Sequence, residues 1–166
     1  MSIQLIPGRG LQRLAIATLS KTDIEFLPLA PIILAPKEVD HVYLPDIFGV
    51  TIQRILATDY TNVNASALFV IGSGVYVDVS DVQGFASMIN GAGGFFTWGD
   101  DTVWHPSAEN VFGSFPSSDD LEDAVGDLWF GMNNQEDGPL VGGTDGDVVR
   151  ICVPFYTYDL KLGYYV

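Results

Sequence analysis

The stretch from Asp127 to Tyr158 constrains this chain more than any other. Leu128-Trp129-Phe130-Gly131-Met132 leads into the polar Asn133-Asn134-Gln135-Glu136-Asp137-Gly138-Pro139. After Leu140–Asp147 the chain enters Val148-Val149-Arg150-Ile151-Cys152-Val153-Pro154-Phe155-Tyr156-Thr157-Tyr158. Branched and aromatic residues fill both apolar runs, and Gly, Asn, Asp and Pro fill what lies between, which is the pattern of two strands around a long loop. A closing strand this long and this apolar belongs in the middle of a sheet, with the earlier strands collected around it. The stretch sets a fold class and carries no chemical signature.

The rest of the chain agrees with a β fold. Residues 1–45 read as an extended, proline-punctuated arm in which Gly8-Arg9-Gly10 makes a turn and Leu11–Leu19 a strand. Pro28, Pro31 and Pro36 oppose a helix through Ile24–Ala35, while the apolar content there demands burial. Val50–Leu56 alternates as a strand, and Ala67–Ile71 and Val75–Val79 read as a hairpin turning at Gly72-Ser73-Gly74. One main helix is expected over 81–90. Ser80 can cap it with Gln83 three residues on, and Val82, Phe85, Ala86 and Ile89 share one face. Phe95–Trp98 and Val103-Trp104 form a short aromatic hairpin, and a helical turn or two precedes Trp129, opened by Asp119, Asp120, Glu122 and Asp123. The expected architecture is mainly β: an antiparallel β-sandwich over 46–166 with one short helix, preceded by the arm at 1–45.

Composition narrows the partners. At 166 residues the chain is one domain in size, and an apolar share of 48% supports a sizeable core. Charged residues make up 17%, below the roughly 25% usual for soluble domains, although the net charge is −14. Such a chain often hides part of its surface in an assembly. Arg9, Arg13, Lys21, Lys37 and Arg54 lie in the first third, and the next Lys or Arg is Arg150. Phosphate backbones and anionic membranes both require basic residues, so neither nucleic acid nor a membrane surface is an expected partner. Residues 1–20 lack the order of a signal peptide, and Phe26–Ala35 is too short and proline-rich to span a bilayer. A product made in the cytoplasm, with no export signal, is expected.

Catalytic and metal chemistry find little support. Cys152 is the single cysteine, and inside an apolar strand it reads as a small hydrophobe. His41 and His105 do not lie at ligand spacing. Asn133-x-Gln135-x-Asp137-Gly138 imitates half of a calcium loop, but Thr144 stands where the bidentate Glu belongs, leaving only Asp145 and Asp147 as loop candidates. Neither a nucleophile elbow nor a phosphate loop occurs. No cofactor is expected and the chain does not read as an enzyme. One constellation offers binding chemistry: Trp98, Asp100, Asp101, Trp104 and His105. Aromatic faces cover the apolar side of a sugar while carboxylates take its hydroxyl hydrogens. A structural hairpin or interface aromatics account for the same residues more simply than sugar contact, and adjacent acids in a tight turn point apart, which opposes a glycosidase pair.

The order of features resembles small virion structural proteins of bacterial viruses, built on a single β-sandwich or jelly roll. The resemblance is carried by the Pro-rich arm at 24–45 and by the Leu68–Val79 hairpin with its following helix. Its third element is the Gly138-Pro139-Leu140-Val141-Gly142-Gly143-Thr144 loop feeding the strand to Tyr158. It implies a capsid or capsid-associated subunit that works by symmetric self-association, with other virion proteins and its own copies as partners and the virion as its location. The acid excess favours an outer, decorating or cementing position. Within the arm, Phe26, Leu27, Leu29, Ile32, Ile33, Leu34 and Tyr43 are the candidate interface. Each buried side chain contributes about 1.5–3 kcal/mol, so the segment packs either along its own sandwich or against a neighbouring subunit.

Overall fold

The computed structural model describes residues 1–8, 10–46, 49–55, 60–61, 68–74, 102–104, 125–133 and 138–166. Along the chain run β1 (Ser2–Pro7), β2 (Arg13–Ser20), α1 (Lys21–Phe26), β3 (Ile32–Ala35), β4 (His41–Pro45) and β5 (Thr51–Ile55). β6 (Leu68–Gly74), β7 (Thr102–Trp104), β8 (Asp127–Asn133), β9 (Val148–Asp159) and β10 (Tyr164–Tyr165) complete the order. The protein is mainly β, and its strands form two antiparallel sheets in a sandwich-like arrangement.

The closing strand sits mid-sheet, as its sequence predicts. One edge of β9 pairs with β2 and, beyond it, with β10. Its other edge pairs with β5 over Val148–Cys152 and with β4 over Phe155–Asp159. β1 extends the sheet outside β2, and β7 outside β5. Along β9, Val149, Ile151, Val153, Phe155 and Thr157 are all buried, the period-2 face that turns to the core.

Pro154 in the interior of β9 departs from the rule that central strands exclude proline. It stands opposite Asp46, where β4 ends and the chain turns towards β5. Its carbonyl accepts from the Asp46 amide at 2.8 Å, while the Asp46 carbonyl, which residue 154 would normally serve, accepts from the Gly49 amide at 3.0 Å. The missing donor therefore leaves no orphaned acceptor.

β3, β8 and β6 form the second sheet, with β8 at its centre and a register shift between Ile33 and Ala35. The expected turn at Gly72-Ser73-Gly74 is instead the end of β6, where these residues pair with Trp129, Leu128 and Asp127. A Cβ built on Gly72 would collide with the Trp129 indole, so this glycine serves close approach rather than reversal.

Residues 1–45 supply β1, β2 and β4 to the large sheet and β3 to the small one. The core contains Ala15, Ala17, Leu19, Leu34 and Tyr43 alongside Leu128, Phe130, Ile151 and Phe155. α1 begins at Lys21, where Asp23 Oδ2 accepts from the Ser20 amide at 2.9 Å and from its hydroxyl at 2.7 Å. The prolines delimit this helix rather than forbid it, because it ends at Phe26, before Pro28. Of the expected hairpin at 95–104, Thr102–Trp104 pairs with β5 and the remainder lies outside the described residues. The expected helix at 81–90 also lies outside them, as does most of the helical turn expected before Trp129, whose described end is not helical: the strand β8 already begins at Asp127.

Candidate interaction surface

A set of backbone bonds holds the loop before β9 against α1. The Leu140 amide donates to the Glu25 carbonyl at 2.8 Å, and the Thr61 amide donates to the Val141 carbonyl at 2.9 Å. Tyr60 bridges to Gly142. Behind this the buried Asp147 closes the turn: Oδ2 accepts from the Thr144 amide at 2.7 Å and Oδ1 from its hydroxyl at 3.1 Å. Burial, and then the charge and hydrogen bond of Asp147, push the Tyr60 phenol well above its ordinary range. A Cβ on Gly143 would stand 2.6 Å from both Asp147 Oδ2 and the Tyr60 hydroxyl, and its φ of +71° suits glycine.

Three exposed apolar residues flank these backbone bonds. Phe26 is one residue from the Glu25–Leu140 bond on one side, and Val141 one residue from it on the other. The Leu29 and Ala30 amides both donate to the Phe26 carbonyl, at 2.9 and 3.0 Å. Phe26, Leu29 and Val141 are 52%, 53% and 57% exposed.

The seven arm residues expected at an interface divide sharply. Leu27, Ile32, Leu34 and Tyr43 belong to the chain's own core. The Tyr43 hydroxyl donates to the Pro36 carbonyl at 2.7 Å, and its ring meets Phe155 edge-on at 5.5 Å. Ile33 is half-buried opposite Trp129. Phe26 and Leu29 alone remain at the surface. Val141 joins them at the surface; nothing in its local sequence marks it, because its nearness to α1 depends on a contact over a hundred residues away.

Of the residues with sugar-binding chemistry, Trp98, Asp100, Asp101 and His105 lie outside the described residues, and Trp104 pairs across from Ile52 in β7. A different aromatic group is assembled at the end of β9. Tyr165 meets Tyr156 and Tyr158 edge-on, at ring separations of 5.9 and 5.4 Å. Leu11, Tyr156 and Tyr165 line an open cleft of about 430 Å³. The Gln12 carboxamide donates to Asp46 Oδ2 at 3.1 Å and to the Tyr156 hydroxyl at 3.4 Å. The spacing Tyr156-x-Tyr158 signals one face of a strand, and the register Tyr165–Tyr158 brings the C-terminal tyrosine onto it.

The Cys152 thiol is half-buried, and burial pushes it up against the opposing effect of a Thr51 hydrogen bond. His41 lies between the Val39 carbonyl at 2.8 Å and Asp159 Oδ2 at 3.6 Å, tying the start of β4 to the end of β9. Asp145 is exposed, while both carboxylate oxygens of Asp147 are engaged by Thr144. Among the described residues no three His, Cys, Asp or Glu side chains gather as metal ligands, and no helix is long and apolar enough to cross a membrane. No protein-family model, curated protein or solved structure matches the chain.

Proposed function

We propose that this protein is a non-catalytic virion structural subunit, capsid-associated in a decorating, cementing or minor-capsid role, that works by symmetric self-association. The observation that carries the self-association is the group Phe26, Leu29 and Val141: three large apolar side chains, each about half exposed, on backbone held by main-chain hydrogen bonds within the chain. Completing their burial against another copy contributes on the order of 1 kcal/mol apiece, and their fixed backbone lowers the ordering cost of association. The virion assignment rests on the resemblance in feature order, and the location follows from it. The low charged share and the acid excess fit an outer subunit that does not touch genome. Size-exclusion chromatography with light scattering tests this reading. The chain is expected to run as an oligomer, and Phe26→Asp with Leu29→Asp is expected to lower its mass. A single-chain mass at high concentration would overturn it.

The tyrosine cleft supports a second reading, a carbohydrate-binding module. Exposed tyrosine rings can stack on the apolar face of a pyranose, and Tyr156 and Tyr165 line this cleft with the bonded Gln12–Asp46 pair beside the Tyr156 hydroxyl. A glycan array in which binding disappears with Tyr165→Ala would favour it, and an array without signal would remove it.

A further inference from the structure

We infer that β1 is a self-pairing edge, through which two copies of this chain join their large sheets across a two-fold axis passing through Gln4. The inference rests on the self-association reading and names a surface for it distinct from the Phe26–Leu29–Val141 patch.

β1 ends the large sheet among the described residues, and every residue in it except Ile3 is exposed. Edge strands in natural proteins are normally blunted by charge, a bulge or central proline. Ser2–Pro7 carries no charged side chain, pairs with β2 without a register shift, and has its proline only at the last position.

The hydrogen-bonding phase of the hairpin identifies which groups are open. The Gly8 amide donates to the Gln12 carbonyl at 2.7 Å. In an antiparallel ladder bonded pairs recur every second residue. Stepping back from Gly8–Gln12 along the observed register, Ile6–Leu14, Gln4–Ile16 and Ser2–Thr18 are the bonded pairs. Ile3, Leu5 and Pro7 therefore turn their main-chain groups to the open edge, and Pro7 has no N–H to offer there.

These open groups are self-complementary. With β1 of a second copy laid antiparallel and Gln4 facing Gln4, Ile3 of each copy meets Leu5 of the other. Among the described residues neither has a partner for its N–H and C=O groups, so each of the two Ile3–Leu5 pairs exchanges two bonds. Pro7 falls at the end of the paired stretch, where its missing donor costs least. The strand also brings no like charges together, although each chain carries −14. A two-fold pairing closes on itself, giving one continuous sheet per dimer.

Cysteine cross-linking tests both the edge and the register. In the full chain with Cys152→Ser, Gln4→Cys places two thiols in a non-hydrogen-bonded antiparallel pair. The Cα separation there is about 4.5 Å, within disulfide reach. Mild oxidation is expected to convert Gln4→Cys to a disulfide-linked dimer, while Ile3→Cys, which faces Leu5 rather than itself, stays unlinked. Leu5→Pro, whose edge position tolerates proline, removes two of the four inter-copy donors and is expected to abolish the contact while thermal unfolding stays cooperative. An oligomer in which Gln4→Cys fails to link, or links no better than Ile3→Cys, would overturn the edge inference and leave self-association standing. A monomer that never links would overturn both.

Discussion

The indole of Trp129 occupies the space that a side chain on Gly72 would need, and the two residues face each other across the β6–β8 ladder. The close approach places a large aromatic against bare backbone in the smaller sheet. Gly72→Ala should therefore force a displacement of Trp129 and cost about 1–3 kcal/mol as overpacking. Urea unfolding should show a lower midpoint with an unchanged slope.

That pair also marks the boundary of what could be read from the residues alone. Gly72-Ser73-Gly74 has the composition of a turn, and only its long-range partner, Trp129, converts it into strand. The central place of β9 was legible because length, branching and alternation all agree over Val148–Tyr158. The fate of the arm was legible in kind but not in detail. Its apolar residues demand burial, yet which of them face inward depends on β3 pairing with β8 and β4 with β9, pairings about a hundred residues apart in sequence. The surface patch was half legible, through Phe26 and Leu29. The cleft at Tyr156 and Tyr165 is not legible in the sequence, because its members join only through the β9–β10 register.

Asp147 supports the patch from below. Asp147→Ala leaves the Thr144 amide and hydroxyl without their acceptor and removes the neighbour of the Tyr60 phenol. A loss of about 1–3 kcal/mol is expected. Hydrogen exchange should quicken at Leu140 and Thr61, whose amides hold the loop to α1 and to Tyr60's segment.

Asp23 gives the fold a defined response to acid. Burial works to raise its pKa, but hydrogen bonds from Ser20 and the nearby terminal amine at 3.1 Å outweigh it, and the group lies below its ordinary value of 3.8. The native state thus favours the carboxylate. Its contribution is present above the ordinary value and is lost as pH falls through the lowered native value. Asp23→Asn should destabilise the protein near neutrality, and the gap between the two proteins should close as urea midpoints are followed down to strongly acid pH.

Self-association should respond to salt in the direction set by net charge. Copies carrying −14 each repel one another, and the proposed contacts are apolar or main-chain, so added salt screens the opposition without weakening the contacts. Raising salt from about 0.1 M to about 1 M, which shortens the screening length from about 10 to about 3 Å, should increase the assembled fraction in sedimentation. An assembly held by ion pairs would dissociate instead.

Truncation is a poor instrument here, because deleting residues 1–45 removes β1 to β4 from both sheets. The most direct test of the self-association claim is the mass of the intact chain by light scattering, compared with the Phe26→Asp, Leu29→Asp double variant. The account predicts a mass of at least two chains, reduced in the variant while circular dichroism stays that of a β protein. A single-chain mass for the unaltered protein at high concentration and high salt would contradict it.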